Sequence, residues 1–344
     1  MSKPPHPEPV EGSPSQRPGR IPHPATPSAL RHNIRMKPKL LVLIFLSDAH
    51  QALVGDHFDF IYAPDAERRT RHIAADGAAV RAVLTNGATG LTAAEIDAMP
   101  ALEVVCALGV GYENIDVPHC KARGIAVGNG AGTNDDCVAD HAMALLLAVV
   151  RNVRWLDQQC RAGVWRDAVP MPPNVSHRRI GIVGLGDIGR KVARRALGFE
   201  MEVGYHGRTK KDVPHAYFAD VKSLAAWADF LVVATPGGVA TRHMVNAEVL
   251  TALGPRGFLV NIARGSVVDT AALADALREG RVAGAGLDVY ESEPKPPEAL
   301  MGFDNVVLTP HLGGWSPEAM QASVQRFVDN ATRHFAGAPL ISPV

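Results

Sequence analysis

The chain has 344 residues, enough for about two domains of roughly 150 residues, each able to bury its own core without disulfide staples. With 47% hydrophobic and 20% charged residues, it is neither wholly disordered nor fibrous. Its 35 Lys+Arg balance 35 Asp+Glu, so no global field draws in a nucleic-acid backbone or an anionic membrane, and neither is expected as a partner.

Residues 1–35 hold nine of the 26 prolines, almost no large apolar side chains and no periodicity. Such a segment cannot offset its ordering entropy, so residues 1–37 are expected to be a disordered Pro-rich tail. Met36, followed directly by KPKLLVLIFLS, reads as a natural start with the tail as an upstream extension, a functional Pro-rich linker being the alternative.

From residue 40, aliphatic runs alternate with longer helical stretches, the pattern of parallel sheets covered by helices. Strands are expected at 40–46, 59–63, 80–84, 103–108 and 125–128. Next, NDDCVADHAMALLLAVVRNVRWL spaces its apolar residues as one long helix, with Asn134 or Asp135 as cap. A second strand series follows at 179–184, 202–206, 230–235, 257–263, 283–288 and 305–308. The last stretch reads as a helix capped by Ser316, with Pro317 at its first position and Gly337 as its stop. The fold class is therefore α/β, with two doubly wound parallel-sheet domains.

The longest apolar runs, Leu40–Leu46 and Ala142–Val150, fall far short of the roughly 20 residues that span a bilayer. The N-terminus has no secretory apolar core, and a cytoplasmic protein is expected. Cys106, Cys120, Cys137 and Cys160 form no close pair of the zinc or redox type, and no metal site is expected.

Chemistry-bearing residues concentrate in the second strand series. RIGIVGLGDIGRKVARRAL sets Gly184, Gly186 and Gly189 between a strand and a helix, where a dinucleotide pyrophosphate meets a tight turn and a helix N-terminus. Asp187 and Ile188 lie in the same turn. At the end of the next strand, where NAD enzymes usually carry an acid for the ribose 2′-hydroxyl, the chain has Gly207 and then Arg208, Thr209, Lys210 and Lys211. A hydroxyl and three cations suit a 2′-phosphate, so NADP is expected, with NAD possible. LGVGYEN, at Gly109, Val110 and Gly111, looks like a loop offering backbone N–H groups to a small anion. Arg264, Glu293 and His311 each follow an expected strand, on one edge of one sheet. Together they supply a cation, a carboxylate and an imidazole.

With GIVGLGDIG, NIARGSVVD, AGLDVYESEP and LTPHLGG in that order, the chain from about residue 38 resembles the D-isomer-specific 2-hydroxyacid dehydrogenases. Its YHGRTKK and VRAVLTNGATG segments look most like the NADPH-preferring glyoxylate/hydroxypyruvate and hydroxyphenylpyruvate reductases. The resemblance implies a flavodoxin-like substrate lobe (38–133), a Rossmann cofactor lobe (134–313), a C-terminal helix returning to the substrate lobe (314–344), and a cleft between the lobes. It implies Arg264 on the substrate carboxylate, His311 as acid/base and Glu293 holding His311. It also implies Gly109, Val110 and Gly111 as the carboxylate loop and Asp288 on the nicotinamide carboxamide, with Thr235 and Ala263 among the cofactor contacts. The implied reaction is NADPH-dependent reduction of a small 2-oxo acid by a homodimer joined through the cofactor lobe, for which the apolar face of the helix from residue 134 could serve, a buried interdomain helix being the equal alternative. Gly313-Gly314-Trp315 departs from the commoner small residues after the histidine and leaves open a bulkier substrate such as hydroxyphenylpyruvate. Similar formate dehydrogenases carry glutamine in the glutamate role, so Glu293 argues against that activity. A nucleotide-sensing binding protein with a relict triad is the alternative outside enzymology.

Overall fold

A computed structural model describes residues 36–344, and of the expected tail over residues 1–37, residues 1–35 lie outside the described residues. The first aliphatic runs form five parallel strands: β1 (Lys39–Val42), β2 (Asp59–Tyr62), β3 (Ala82–Asn86), β4 (Val104–Leu108) and β5 (Ala126–Gly128). Their order is β2-β1-β3-β4-β5. Alternate residues feed two cores, as the two-residue period of a strand requires. Leu41, Val83, Val105 and Val127 pack on one face; Leu40, Val42, Leu84 and Val104 pack on the other. The second core is completed by Val324, Phe327, Val328 and Ala331 of the C-terminal helix Pro317–Phe335, which returns to this first sheet. Ser316 Oγ accepts from Ala319 N–H at 3.1 Å to start that helix, and Gly337, at φ 74°, follows its end.

The second sheet has seven parallel strands: β6 (Arg179–Val183), β7 (Glu202–His206), β8 (Ala216–Phe218), β9 (Phe230–Val233), β10 (Phe258–Asn261), β11 (Gly284–Leu287) and β12 (Val306–Leu308). Their order, β12-β11-β10-β9-β6-β7-β8, reverses direction at β6, beside the glycine-rich turn. Six strands were expected here. The extra one, β8, is a three-residue edge strand too short for alternation to reveal. It is held by ring contacts of Tyr217 with Tyr205 (5.5 Å) and of Phe218 with Trp227 (5.3 Å).

The long helix expected from residue 134 is two helices, Asp135–Val150 and Val153–Arg161. Asn152 between them sits at φ 51°, a left-handed conformation that ends a helix and that Asn tolerates. Asn134 is the N-cap residue but makes no side-chain cap hydrogen bond. Val138, Ala142, Leu145, Leu146 and Val149 of the first helix are buried against the seven-stranded sheet, so that face cannot serve an outside partner. Exposed apolar side chains lie further on, at Val153, Trp165 and Met171. Among the described residues no helix is long and apolar enough to cross a membrane.

Candidate active site

The glycine-rich turn has the geometry that a dinucleotide requires. Gly184 adopts φ 98°, and a Cβ there would lie 2.7 Å from the Ala234 carbonyl oxygen and 3.0 Å from Thr235 Cα. A Cβ at Gly189 would sit 2.1 Å from the Gly184 carbonyl oxygen, so only glycine lets the helix Asp187–Leu197 start so close to β6. Gly186 faces open space, the room a pyrophosphate needs at that helix N-terminus. Asp187 is exposed in the first turn, and Ile188 packs on the core.

Beyond β7, Arg208, Thr209 and Lys210 are exposed, and Lys211 is half-buried and turned toward the glycine-rich turn. Its Nζ donates to the Leu185 carbonyl at 2.8 Å and its backbone N–H to Tyr205 Oη at 2.6 Å, tying the basic loop to the glycine-rich turn. A Cβ at Gly207 would meet nothing nearer than the Thr209 carbonyl oxygen at 3.9 Å.

Arg264 is set by a buried amide at the end of β10. Asn261 Oδ1 accepts from Ala263 N–H and its Nδ2 donates to the Arg264 carbonyl, both at 3.0 Å. Arg264 Nη1 donates to the Ala263 carbonyl at 2.5 Å, so that acceptor is already engaged. A Cβ at Gly111 would stand 2.0 Å from Arg264 Nη2, so the guanidinium packs directly on Gly111, just beyond β4 of the other sheet. Gly109 adopts φ 82°, and the Val110 carbonyl is held by Asn129 Nδ2 at 2.9 Å.

His311 Nδ1 donates to Glu293 Oε2 at 2.9 Å, while Glu293 Oε1 accepts from Tyr290 N–H at 2.8 Å. The Glu293 hydrogen bond raises the imidazole above its ordinary pKa, against burial and the nearby charge of Arg264. Burial pushes the Glu293 carboxyl up, but its bonds from His311 and Tyr290 outweigh this and leave it below the usual carboxylate value. His311 itself sits at φ 55°, uncommon for a residue with a side chain.

Asp288 maintains that backbone. Its carboxylate accepts from Thr309 Oγ1 (2.6 Å), Leu312 N–H (2.7 Å) and Gly313 N–H (2.7 Å), and His141 Nε2 lies 3.3 Å away. Its side chain is only 3% exposed, so its evident work is to clamp the His311 loop onto β11. Burial pushes this carboxyl up too, and the hydrogen bonds from His141, Thr309, Leu312 and Gly313 bring it below the usual value.

Arg264, Glu293, His311 and the Gly109–Gly111 loop thus come together. Arg208, Thr209 and Lys210 stand apart, beyond β7. Sequence reasoning passed over Glu113, which pairs with Arg264, and His141, which donates to Thr309 Oγ1 at 2.8 Å. Glu113 lies two residues past Gly111, in a loop read for its backbone amides alone. His141 carried no local signal, being one polar residue on an apolar helix. Among the described residues no three His, Cys, Asp or Glu side chains are grouped to hold a metal ion.

A family model described as D-isomer specific 2-hydroxyacid dehydrogenase, NAD binding domain, matches residues 143–313. The hydroxyphenylpyruvate reductase of Plectranthus scutellarioides is 42% identical over 274 residues, 79% of this chain and 88% of that protein. A glyoxylate/hydroxypyruvate reductase of Arabidopsis thaliana is 42% identical over 267 residues, 77% of this chain and 85% of that one. The crystal structure of an NADPH-dependent glyoxylate/hydroxypyruvate reductase from Sinorhizobium meliloti, with NADP and malonate, aligns with a TM-score of 0.83 at 38% identity. That match covers 90% of this chain and 97% of the other.

Proposed function

The chain belongs to the D-isomer specific 2-hydroxyacid dehydrogenases, and from that premise we propose that it acts in the cytoplasm as a homodimer that reduces a small 2-oxo acid, glyoxylate or hydroxypyruvate, with NADPH. The observation that carries this reading is the Arg264 guanidinium lying against Gly111 of the glycine loop, on the same sheet edge as the hydrogen-bonded His311–Glu293 pair. Arg264 and the amides of Gly109, Val110 and Gly111 hold the substrate carboxylate. Arg264 also faces the carbonyl oxygen, where negative charge develops. His311, with Nδ1 committed to Glu293, delivers a proton to that oxygen from Nε2, and Glu293 keeps the imidazole charged beforehand.

The open face of Gly186 fits a dinucleotide, held by Gly184, Gly186, Asp187, Ile188 and Gly189 at the pyrophosphate and by Arg208, Thr209 and Lys210 at the 2′-phosphate. Thr235 and Ala263 would add further contacts to the cofactor. Asp288 has acceptor capacity left on Oδ2 for the carboxamide. When bound, the reduced cofactor supplies the hydride. Exposed Val153, Trp165 and Met171 support pairing with a second copy.

A second reading rests on a cavity of about 190 Å³ lined by Phe45, His50, Trp315, Pro317 and Met320. Trp315 stands four residues past His311, and Phe45 follows β1 on the strand-end edge that also carries Gly109–Gly111. This supports a bulkier 2-oxo acid, such as an aryl one. NADPH oxidation measured with glyoxylate, hydroxypyruvate, pyruvate and 4-hydroxyphenylpyruvate tests both readings. Turnover with none of the four defeats them.

A further inference from the structure

Glu113 is an acid seated on the proposed carboxylate site. Its Oε2 accepts from Arg264 Nη2 at 3.3 Å and its Oε1 lies 2.9 Å from Nε as an ion pair, with the two side chains 33% and 28% exposed. Two glycines make its seat. A Cβ at either Gly87 or Gly111 would lie 2.8 Å from Glu113 Oε2. The acid therefore reaches from the small sheet, just beyond β4, to an arginine just beyond β10 of the large one.

A guanidinium has five N–H donors. Glu113 accepts one on Nη2 and pairs by charge with Nε, and the Ala263 carbonyl takes one on Nη1. One N–H remains on each terminal nitrogen, a fork that can grip a second carboxylate. An anion this close to an anion-binding arginine weakens its pull on substrate, so affinity cannot explain its presence. It does fix the plane of the guanidinium, on which alignment of the carbonyl depends.

We propose that Glu113 is a positioning residue for Arg264, holding the guanidinium so that its remaining fork faces the substrate carboxylate, at a cost in ground-state affinity. This rests on the reading of Arg264 as the carboxylate-binding residue.

The test compares the wild-type chain with Glu113→Gln and Glu113→Asp, by turnover of the best 2-oxo acid and by calorimetric binding of oxamate in the presence of NADPH. Glu113→Gln should lower kcat by about ten- to a hundredfold, as misaligned groups do, while the KM for the 2-oxo acid stays level or falls and that for NADPH is unchanged. Oxamate should bind it about threefold more tightly or better, because a competing charge is gone. Glu113→Asp, which keeps the charge but shortens the reach, should fall between. A Gln variant with wild-type kcat and oxamate affinity overturns the proposal. So does a raised KM with weaker oxamate binding, which would mark Glu113 as a substrate contact. If the wild type reduces no 2-oxo acid, the reductase reading fails but the oxamate arm still decides for or against Glu113. If neither protein binds oxamate, the reading of Arg264 and the proposal fall together.

Discussion

His311 and Glu293, eighteen residues apart in the chain, share a hydrogen bond of 2.9 Å from Nδ1 to Oε2 that shifts both groups, the imidazole up and the carboxyl down. A base raised by a folded-state partner stabilises the fold fully below its unfolded pKa, about 6.5, and that contribution is lost as pH rises through the folded value. A lowered carboxyl does the reverse. Its contribution is present above about 4.3 and is lost as pH falls through the folded value. The pair is therefore strongest between these limits.

Reductive turnover should stay level while His311 is protonated and fall as pH rises through its raised pKa. Glu293→Gln removes the largest cause of that rise, so the falling limb should move to lower pH. A pH–rate profile of kcat/KM for both proteins reads this directly. Superimposable profiles would refute the pairing as a catalytic device.

Cofactor preference should reside beyond β7. Arg208 and Lys210 are exposed there, while Lys211 is held on Leu185. Loss of one charge-assisted contact is worth about 1.5–3 kcal/mol, so Arg208→Ala should raise the NADPH KM by roughly ten- to a hundredfold and barely move that for NADH. The open space at Gly207 admits a side chain, so adding Gly207→Asp should turn preference toward NADH by repelling the 2′-phosphate. A wild type that prefers NADH would show the loop to be only a solvated turn.

Trp315 should set substrate size. If the cavity it shares with Phe45 and Met320 takes an aryl side chain, Trp315→Ala should lower kcat/KM for 4-hydroxyphenylpyruvate by about tenfold or more, because an apolar wall is lost. Glyoxylate, with no side chain, should change little. An unmoved ratio between the two substrates would show the cavity to be unused.

The fold was legible wherever local pattern and tertiary context agree. Strands such as β4 and β10 are aliphatic runs buried on both faces, and such runs have few other outcomes. β8 escaped because three residues at an edge are specified by ring contacts from Tyr205 and Trp227, not by their own alternation. The break at Asn152 escaped because apolar spacing ran past it, and only a left-handed backbone ended the helix. Arg264, Glu293 and His311 were visible as polar residues directly after strands. Glu113 meets Arg264 across 151 positions, so its role exists only once two sheets face each other. Lys211 looked equivalent to Arg208 and Lys210 until Leu185 and Tyr205 were seen to engage it.

The central claim is that His311 delivers the proton to a 2-oxo acid. The most direct measurement is NADPH oxidation at saturating glyoxylate by His311→Ala beside the wild type, with NADPH binding followed by fluorescence. General acid catalysis supplies about a hundredfold or more, so the variant should lose at least that much in kcat while binding NADPH as the wild type does. Equal turnover by the two proteins would contradict the account.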